Sequence, residues 1–199
     1  MQRQYSEVSV NYYNQNAESY FADTVGADVH HLRSKFLTQV PAGGDILDAG
    51  CGSGRDVLAF HRAGYHVTAF DASAEMCRKA REYTDLRVIQ MTFQEMMWHN
   101  EFDGIWACAS LLHVPRMELA EILRRFVHAL RPGGALYVSF RHGTGERLID
   151  GRRFTDMTEV ELGPLLRSVG LSPTEYWITD DVRPGQTSKR WLNALARRE

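Results

Sequence analysis

The sequence predicts an α/β fold built around a mostly parallel sheet, and three observations support this. Short apolar runs alternate with helical patterns between residues 45 and 140. A glycine cluster, Gly50 to Gly54, follows the first of these runs. The apolar runs are typical of strands that helices bury on both faces. Strands that alternate with helices are joined by right-handed crossovers, so they lie parallel to one another.

Apolar periodicity and glycine or proline stops place the individual elements. Two amphipathic helices are predicted at 8–21 and 30–40, the second ended by the Pro41–Gly44 turn. Strands are predicted at 45–49, 65–70, 86–91, 102–109 and 135–140. Helices are predicted at 57–62, 75–81 and 116–130.

The last third of the chain has a different pattern. A helix is predicted at 158–169, closed by Gly170. Two strand candidates follow at 171–179 and 188–196, joined by a polar loop at 180–187. Their short connection predicts an antiparallel pair at one edge of the sheet. We expect a single domain over 1–199, with a helical N-terminal cap at 1–40, a core at 44–140 and a C-terminal segment at 141–199.

Composition and charge limit the class of protein. With 199 residues, of which 44% are hydrophobic, the chain can bury the core of one domain. A net charge of -2 argues against a mainly electrostatic nucleic-acid binder. Every apolar run is shorter than the ~20 residues that span a bilayer, and the polar start lacks a secretory signal. The widely spaced Cys51, Cys77 and Cys108 indicate neither a disulfide framework nor a zinc site, so we expect a cytoplasmic protein.

The glycine cluster and a later aspartate form a nucleotide-binding pattern. The three glycines allow a sharp turn and a close approach of ligand to backbone, and the helix behind them presents free N–H groups. Asp71 lies 17 positions after Gly54, where a carboxylate can accept two hydrogen bonds from a ribose diol. The alternative is that Asp71 caps the following helix. Arg55 stands where a dinucleotide-binding loop needs glycine, which argues against a nicotinamide oxidoreductase.

Four motifs, in order, resemble those of class I S-adenosylmethionine-dependent methyltransferases. They lie at 46–54 (ILDAGCGSG), 67–73 with Met76, 102–106, and 130–134 with Leu136. The resemblance implies a Rossmann-like seven-stranded, mostly parallel sheet with an antiparallel last strand, helices on both faces and a helical N-terminal cap. Within the family, the LLHVP stretch at 111–115 and the compact size resemble small-molecule and tellurite-resistance-type methyltransferases.

The resemblance also implies S-adenosylmethionine as the cofactor and assigns its contacts. Asp71 would hold the ribose hydroxyls and Asp48 would face the ammonium group. Many relatives carry Gly-Asp after the third strand, where this chain has Met91–Thr92–Phe93, so Thr92 and the Phe93 backbone would take over the adenine contact. Alternatively, Met76 and Phe93 are core residues without a cofactor contact. The remaining implied contacts are Gly50, Cys51, Gly52, Gly54, Ala72, Met76 and Cys108.

His113 is the candidate catalytic residue. Methyl transfer from a sulfonium is an in-line displacement to which the protein contributes proximity and orientation. An oxygen or nitrogen nucleophile also has to lose a proton. His113 follows the fourth strand at the edge where open α/β sheets bind ligands, and histidine titrates near neutral pH. The alternative is that His113 shapes the loop or contacts the cofactor without acting as a base.

Aromatic and basic residues are candidates for the acceptor side. They are Tyr12, Tyr13 and Tyr20 on the N-terminal helix, Arg33 on the next helix, and Arg141 after the fifth strand. If these converge, the pocket favours an anion, because guanidinium groups bind carboxylate or phosphate through two hydrogen bonds. By contrast, Arg152 and Arg153 are expected to be solvated surface arginines, and Trp106 a core residue.

No metal site is predicted, because the adjacent His30 and His31 point in different directions on a helix and the other histidines are scattered. The sequence therefore favours a methyltransferase acting on a small molecule, with an anionic acceptor as a candidate. An RNA or protein methyltransferase is an alternative, although the Asn/Asp-Pro-Pro-Tyr/Phe motif of nucleic-acid amino-methylating enzymes is replaced by Ala107–Ser110. A non-catalytic cofactor-binding protein is a further alternative.

Overall fold

The computed structural model describes residues 3–183, 185 and 189–199, and in this part of the chain a seven-stranded sheet carries helices on both faces. The helices are α1 (Arg3–Gln15), α2 (Ala17–Thr24), α3 (His30–Leu37), α4 (Arg55–Arg62), α5 (Ala74–Thr84), α6 (Leu119–Ala129) and α7 (Glu159–Arg167). The strands are β1 (Asp45–Ala49), β2 (His66–Asp71), β3 (Ile89–Gln90), β4 (Phe102–Ala107), β5 (Leu130–Arg141), β6 (Glu146–Ile149), β7 (Arg152–Thr155), β8 (Leu171–Asp180) and β9 (Arg190–Arg198).

The seven strands lie in the order β3-β2-β1-β4-β5-β9-β8. The first five are parallel, and β9 runs antiparallel between β5 and β8. The predicted mostly parallel sheet with an antiparallel last strand is confirmed. The strand order reverses between β1 and β4, and open α/β sheets bind ligands at the carboxyl ends of the strands at such a point.

Successive residues of the central strands pack into two different cores. Leu47 and Ile105 join the cluster that contains Phe126 of α6, whereas Ile46 and Trp106 join the cluster that contains Phe36 of α3. Because side chains alternate between the faces of a strand, each face needs its own helical layer. This explains why the strand sequences are apolar at consecutive positions. Trp106 is fully buried and stacks on Tyr137 with ring centroids 3.9 Å apart, so its predicted core position is correct.

Two elements are shorter or more broken than predicted. The helix expected at 8–21 is two helices that meet at Asn16, whose backbone leaves the helical region at φ -116° and ψ 19°. The Asn16 amide donates to the Tyr12 carbonyl at 2.8 Å, and asparagine competes with helical backbone in this way. The strand expected at 86–91 shrinks to β3, because the Val88 carbonyl accepts a hydrogen bond from the Arg81 guanidinium instead of from a strand.

The β6–β7 hairpin was not predicted. Its two strands are joined by Asp150 and Gly151, which both have positive φ, at 50° and 72°. An Asp-Gly pair is a strong sequence signal for a tight hairpin turn, so this element could have been found from the sequence. The hairpin matters for function because β7 packs against α1 and places Arg152 in the lining of the cavity at the ligand-binding edge.

The predicted polar loop at 180–187 and the start of the strand predicted at 188–196 fall partly on residues 184 and 186–188, which lie outside the described residues. The rest of the predicted pair is present as β8 and β9. Among the helices of the described residues, none has the length and apolar character required to cross a bilayer.

Candidate active site

A cavity opens at the carboxyl ends of the parallel strands, under the N-terminal helices. Its floor is the glycine loop between β1 and α4, and its walls come from α1, α2, the segments after β2, β3 and β4, and the C-terminal strands. The cavity therefore lies where the strand order reverses, as the fold requires. Most of the predicted site residues line it, namely Tyr13, Tyr20, Asp48, Gly50, Cys51, Gly52, Asp71, Ala72, Met76, Thr92, Phe93, Cys108, His113 and Arg141.

The glycine loop needs its glycines for different reasons. Gly50 has φ +80°, and a Cβ atom there would stand 2.6 Å from the Ser110 Cβ atom. Gly52 also has a positive φ, but an added Cβ would meet only the Tyr20 ring at 3.7 Å. Gly54 does not line the cavity. It begins α4 and allows that helix to pack closely on Ala80 of α5, where a Cβ would be 3.1 Å away. Its predicted direct ligand contact is therefore replaced by a packing role.

Asp71 is held in place by backbone donors on both sides. Its Oδ2 atom accepts from the Gly52 N–H at 2.9 Å and its Oδ1 atom accepts from the Ser73 N–H at 2.9 Å. The N-cap of α5 is Ser73, whose hydroxyl accepts from the Met76 N–H. Asp71 is thus not the helix cap, and its remaining lone pairs are available at the cavity wall. Burial raises the pKa of Asp71, and the two backbone donors act in the opposite direction.

Asp48 is a buried carboxylate with an unsatisfied oxygen. It is 2% exposed, and its Oδ2 atom has no hydrogen-bond partner among the described residues. Burial and the nearby Asp56 carboxylate raise the pKa of Asp48 well above its usual value. A buried carboxylate of this kind is stable only when it is protonated or when a cation pairs with it. The cavity therefore offers a place for a cationic ligand group at Asp48.

The opposite wall is apolar. Met76 is 1% exposed, and the Phe93 ring contacts Phe70 and Phe126 edge-on with centroids 5.5 and 5.9 Å away. Both residues line the cavity; Met76 is also buried, and Phe93 also packs against the core, so a cavity role and a core role are compatible for each. The Thr92 hydroxyl donates to Glu95 at 2.8 Å, in a capping box that fixes the turn after β3.

The two cysteines of the cavity are neutral thiols. Burial raises the pKa of Cys51 well above its usual value, and the Asp48 carboxylate adds to this effect. Burial likewise raises the pKa of Cys108 to about 11. Because the thiolate is the nucleophile, neither residue is poised for covalent chemistry at neutral pH.

The His113 ring is hydrogen-bonded to Tyr13 and to the backbone of β7. Its Nε2 atom lies 2.7 Å from the Tyr13 hydroxyl and its Nδ1 atom lies 2.6 Å from the Arg153 carbonyl oxygen. Burial lowers the pKa of His113 to about 4, and the Arg152 guanidinium acts in the same direction. The imidazole is therefore neutral near pH 7, and both of its nitrogens are occupied by protein groups.

Three arginines from separate elements gather at the other end of the cavity. Arg141 ends β5, Arg152 begins β7, and Arg183 follows β8. The Arg141 guanidinium is 7% exposed, lies over the Trp191 ring at 4.3 Å, and has an Nη1 atom without a hydrogen-bond partner among the described residues. Burial lowers the pKa of Arg141. Asp181 lies 3.5 Å from Arg141 and 2.7 Å from Arg183, and Asp150 lies 3.8 Å from Arg152.

The expectation of solvated surface arginines at 152 and 153 was wrong. The Arg152 guanidinium lies over the Tyr12 ring at 4.2 Å and lines the cavity. Arg153 is paired with Glu146 at 3.0 Å, and its side chain is 20% exposed. The reason is the β6–β7 hairpin, which packs against α1 and removes both side chains from bulk solvent.

Two predicted acceptor contacts lie outside the cavity lining. Arg33 is not among the lining residues, and its guanidinium donates to the cavity residue Asp56 at 2.7 Å. Tyr12 does not line the cavity either, and its ring instead packs against the guanidinium of Arg152.

Arg55, Arg183 and Asp181 line the cavity but were not predicted from the sequence. Arg55 directly follows the glycine loop, which is a usable signal, whereas the other two had none.

Within residues 3–183, 185 and 189–199, no group of three or more His, Cys, Asp and Glu side chains is arranged to hold a metal ion.

The sequence is similar to known methyltransferases. The family described as "Methyltransferase domain" matches residues 46–134. A ubiquinone biosynthesis O-methyltransferase of Xylella fastidiosa (strain 9a5c) is 32% identical over 159 residues, which cover 70% of this chain and 64% of that protein. A cypemycin N-terminal methyltransferase of a Streptomyces species is 31% identical over 101 residues, covering 48% of this chain and 41% of that protein. The chain thus spans less than two thirds of the length of these curated relatives.

Solved structures share the fold over most of the chain. A Burkholderia thailandensis 1,6-didemethyltoxoflavin-N1-methyltransferase, solved with 1,6-didemethyltoxoflavin and S-adenosylhomocysteine, superposes with a TM-score of 0.80 at 23% identity, covering 100% of this chain and 90% of that chain. The [4+2]-cyclase SpnF superposes with a TM-score of 0.74 at 17% identity, covering 94% of each chain. At these identities the similarity establishes the fold, and the fold alone does not specify the reaction.

Proposed function

We propose that the chain is a class I S-adenosylmethionine-dependent methyltransferase that transfers a methyl group from S-adenosylmethionine to a small-molecule acceptor. The observation that carries this proposal is the pair of carboxylates on either side of the glycine loop. Asp48 has a buried oxygen that lacks a partner, and Asp71 is oriented by two backbone donors toward the same cavity. A ligand with an ammonium group at one end and a ribose at the other satisfies both carboxylates.

The residues around these carboxylates are proposed to hold the cofactor. Asp71 binds the ribose hydroxyls and Asp48 binds the ammonium group. The apolar wall, with Met76 and the Phe93 ring, gives a surface on which an adenine can stack. The other proposed contacts are Gly50, Cys51, Gly52, Ala72, Thr92 and Cys108, all of which line the cavity. When bound, the cofactor supplies an activated methyl group on a sulfonium.

The acceptor is proposed to be a small anion. Arg141, Arg152 and Arg183 line the acceptor end of the cavity, and the Arg141 Nη1 and Arg152 Nε atoms are buried without a hydrogen-bond partner among the described residues. Buried guanidinium groups with unused donors favour a carboxylate or phosphate. Tyr13 and Tyr20 form an aromatic wall beside them, in edge-to-face contact at 4.8 Å. His113 is proposed to receive the proton that the acceptor loses.

Two features support the finer parts of the proposal. The acceptor is expected to be a small molecule because the relatives include a ubiquinone biosynthesis O-methyltransferase and the fold is shared with a 1,6-didemethyltoxoflavin-N1-methyltransferase. We propose the cytoplasm as the place of action, since all three cysteines are free. The alternative of a non-catalytic or differently catalytic cofactor-binding protein gains some support from the cyclase of the same fold.

The first experiment is isothermal titration with S-adenosylhomocysteine, with NADH as the control ligand. The proposal expects binding of S-adenosylhomocysteine alone, with a micromolar Kd. Transfer of labelled methyl groups from S-adenosylmethionine is then measured to small phenols, amines and thiols, each as the carboxylic acid and as its neutral methyl ester. Preferential methylation of the acids supports an anionic acceptor. Binding of NADH, or of neither ligand, would overturn the cofactor assignment, and binding without transfer to any acceptor would favour the non-catalytic alternative.

A further inference from the structure

We propose that Tyr13 is the group that contacts the acceptor, and that it relays the acceptor's proton to His113. This inference rests on the proposed methyl transfer and deepens it, because it assigns the contact to a residue that the sequence suggested only as a pocket wall. It starts from a hydrogen-bond chain of three groups, namely the Tyr13 hydroxyl, the His113 ring and the Arg153 carbonyl.

The partners fix the tautomer of His113. A carbonyl oxygen can only accept a hydrogen bond, so the Nδ1 atom that lies 2.6 Å from the Arg153 oxygen carries the hydrogen. In a neutral imidazole the Nε2 atom is then a bare acceptor. The Tyr13 hydroxyl, 2.7 Å from Nε2, must be the donor. The order of donation is therefore from Tyr13 to His113 and from His113 to Arg153.

This order leaves His113 without a free atom for the acceptor. Both ring nitrogens are engaged, and the ring edge is covered by Tyr13 and by Phe154, whose centroid is 5.4 Å away. The Tyr13 hydroxyl donates its hydrogen bond to Nε2, and the Arg152 side chain also hydrogen-bonds to Tyr13, so one lone pair of the phenol oxygen remains to accept from a second donor. Tyr13 lines the cavity, and an O–H or N–H acceptor can donate to it. Tyr13, and not His113, is therefore the residue that contacts the acceptor.

The surrounding charges favour transfer through Tyr13 without a free phenolate. Burial raises the pKa of Tyr13 well above its usual value, with Tyr20 and Asp71 acting in the same direction and Arg152 acting against them. A buried phenolate is thus unfavourable, and so is an isolated imidazolium at His113. As the acceptor's proton moves to the Tyr13 oxygen, the Tyr13 proton moves to Nε2, so neither the phenol nor the acceptor is left charged.

His113 can accept the proton although it is weakly basic, because the positive charge of the sulfonium is lost in the same reaction. Methyl transfer to a neutral X–H group forms the X–C bond, breaks the S–C bond and converts a sulfonium to a neutral thioether. The positive charge stays in the cavity as the proton that leaves X and ends on Nε2. Protonation of His113 therefore coincides with the loss of the cationic sulfur nearby, and the cavity never holds both charges. The proton leaves to solvent when the products dissociate.

The hydrogen-bond chain can be tested without an acceptor. Long-range ¹H–¹⁵N spectra of the S-adenosylmethionine complex at about pH 7 report the tautomer of His113, with the resonance assigned by a His113→Gln variant. We expect a neutral ring with the hydrogen on Nδ1, and a shift of the Nε2 resonance in Tyr13→Phe. Tyr83→Phe is the matched control, since Tyr83 is 40% exposed on α5. The proposal would be overturned if Nε2 carries the hydrogen, if the ring is protonated, or if the Nε2 chemical shift is the same in Tyr13→Phe as in the wild type.

A second measurement separates proton transfer from simple positioning. The probes are 4-hydroxybenzoate and 4-mercaptobenzoate, which share one shape, but the arylthiol is already ionised at about pH 8 while the phenol is not. We expect Tyr13→Phe and His113→Gln each to lower the ratio of O-methylation to S-methylation by roughly 10²–10⁴-fold. The double variant should lose little more than either single variant, because the two residues act in series.

The outcomes of this measurement are distinct. If both variants slow O- and S-methylation equally, the pair only positions the acceptor and the relay is refuted. If the wild-type protein methylates neither probe but shows the expected His113 tautomer, the hydrogen-bond chain stands and the proposed acceptor class fails instead. The two proposals are thereby separable.

Discussion

The backbone N–H of Gly52 donates a 2.9 Å hydrogen bond to the Oδ2 atom of Asp71, and this bond ties the glycine loop to the end of β2. The loop that follows β1 is thereby fixed relative to the end of the neighbouring strand β2. The same carboxylate holds the Ser73 N–H that leads into α5. Preorganisation of this kind means that the cofactor finds the carboxylate already oriented, with little conformational entropy left to lose.

Asp71→Ala should weaken the binding of S-adenosylhomocysteine. The loss of hydrogen bonds from the ribose to a charged group costs about 1.5–3 kcal/mol, roughly 10- to 150-fold in Kd. Isothermal titration measures it, with Asp23→Ala, at an exposed position on α2, as the control. An unchanged Kd in Asp71→Ala would refute the ribose assignment.

Binding of the cofactor should release a proton from Asp48. In the free protein, burial and Asp56 raise the pKa of Asp48 and favour its protonated form. A bound ammonium group favours the carboxylate and lowers that pKa, so a proton leaves on binding and affinity rises with pH. Titrations in buffers of different ionisation enthalpy measure the released proton. We expect a smaller release in Asp48→Asn, and an equal release in the variant and the wild type would contradict the assignment.

Gly50→Ala should destabilise the protein more than Gly52→Ala. Both positions have positive φ, which costs an L-residue about 1–2 kcal/mol. At Gly50 the new Cβ would also collide with Ser110, a crowding cost of about 1–3 kcal/mol. Urea unfolding measures the difference in the free energy of unfolding. Equal losses in the two variants would mean that the Ser110 contact relaxes freely.

Arg141→Gln should weaken acceptor binding and leave cofactor binding intact. Removal of a buried guanidinium eliminates charge-assisted hydrogen bonds worth about 1.5–3 kcal/mol, so the KM of an anionic acceptor should rise roughly 10- to 150-fold. The Kd of S-adenosylhomocysteine should not change. Arg124→Gln, on the outer face of α6, is the control with an exposed arginine. An equal KM for acidic and neutral acceptors in the wild type would rule out an anion-binding role for Arg141.

The free energy of unfolding should depend on pH through His113. Burial depresses the pKa of His113 from 6.5 to about 4, so between these values the unfolded chain binds a proton that the folded chain does not. Stability is therefore full above pH 6.5 and is lost as the pH falls toward 4, by up to about 3 kcal/mol. Urea unfolding at several pH values, with His113→Gln as the comparison, isolates this component. The same pH dependence in both proteins would assign it to other groups.

The sheet could be predicted because its strands carry the information locally. The apolar runs around Leu47 and Ile105 are long enough to mark strands buried on both faces, and the antiparallel last pair follows from a short connection. The hairpin at 146–155 escaped because its strands are short and mostly polar, although Asp150–Gly151 marks the turn. The N-terminal helix is broken at Asn16, whose side-chain amide donates to the Tyr12 carbonyl in addition to the backbone bond.

The candidate site was predictable on the cofactor side and less so on the acceptor side. The cofactor residues lie within short motifs, so their spacing already implies their convergence. The acceptor residues come from elements far apart in the chain. Arg33 was expected at the ligand but pairs with Asp56, and Arg152 was expected in solvent but lines the cavity. In both cases a long side chain pairs with a group that tertiary packing brings close, and the residues next to it in the sequence do not predict that group.

The sequence by itself determined the fold class, the glycine loop and the position of Asp71, because each depends on periodicity or on spacing within one βαβ unit. Only the tertiary structure decided the state of His113. Its pKa is depressed by burial, and its Nε2 atom is engaged by the hydroxyl of Tyr13, which lies 100 residues away in the chain and 2.7 Å away in space. Protonation and hydrogen bonding respond to the groups that surround a side chain in three dimensions, and those groups are brought together only when the chain has folded.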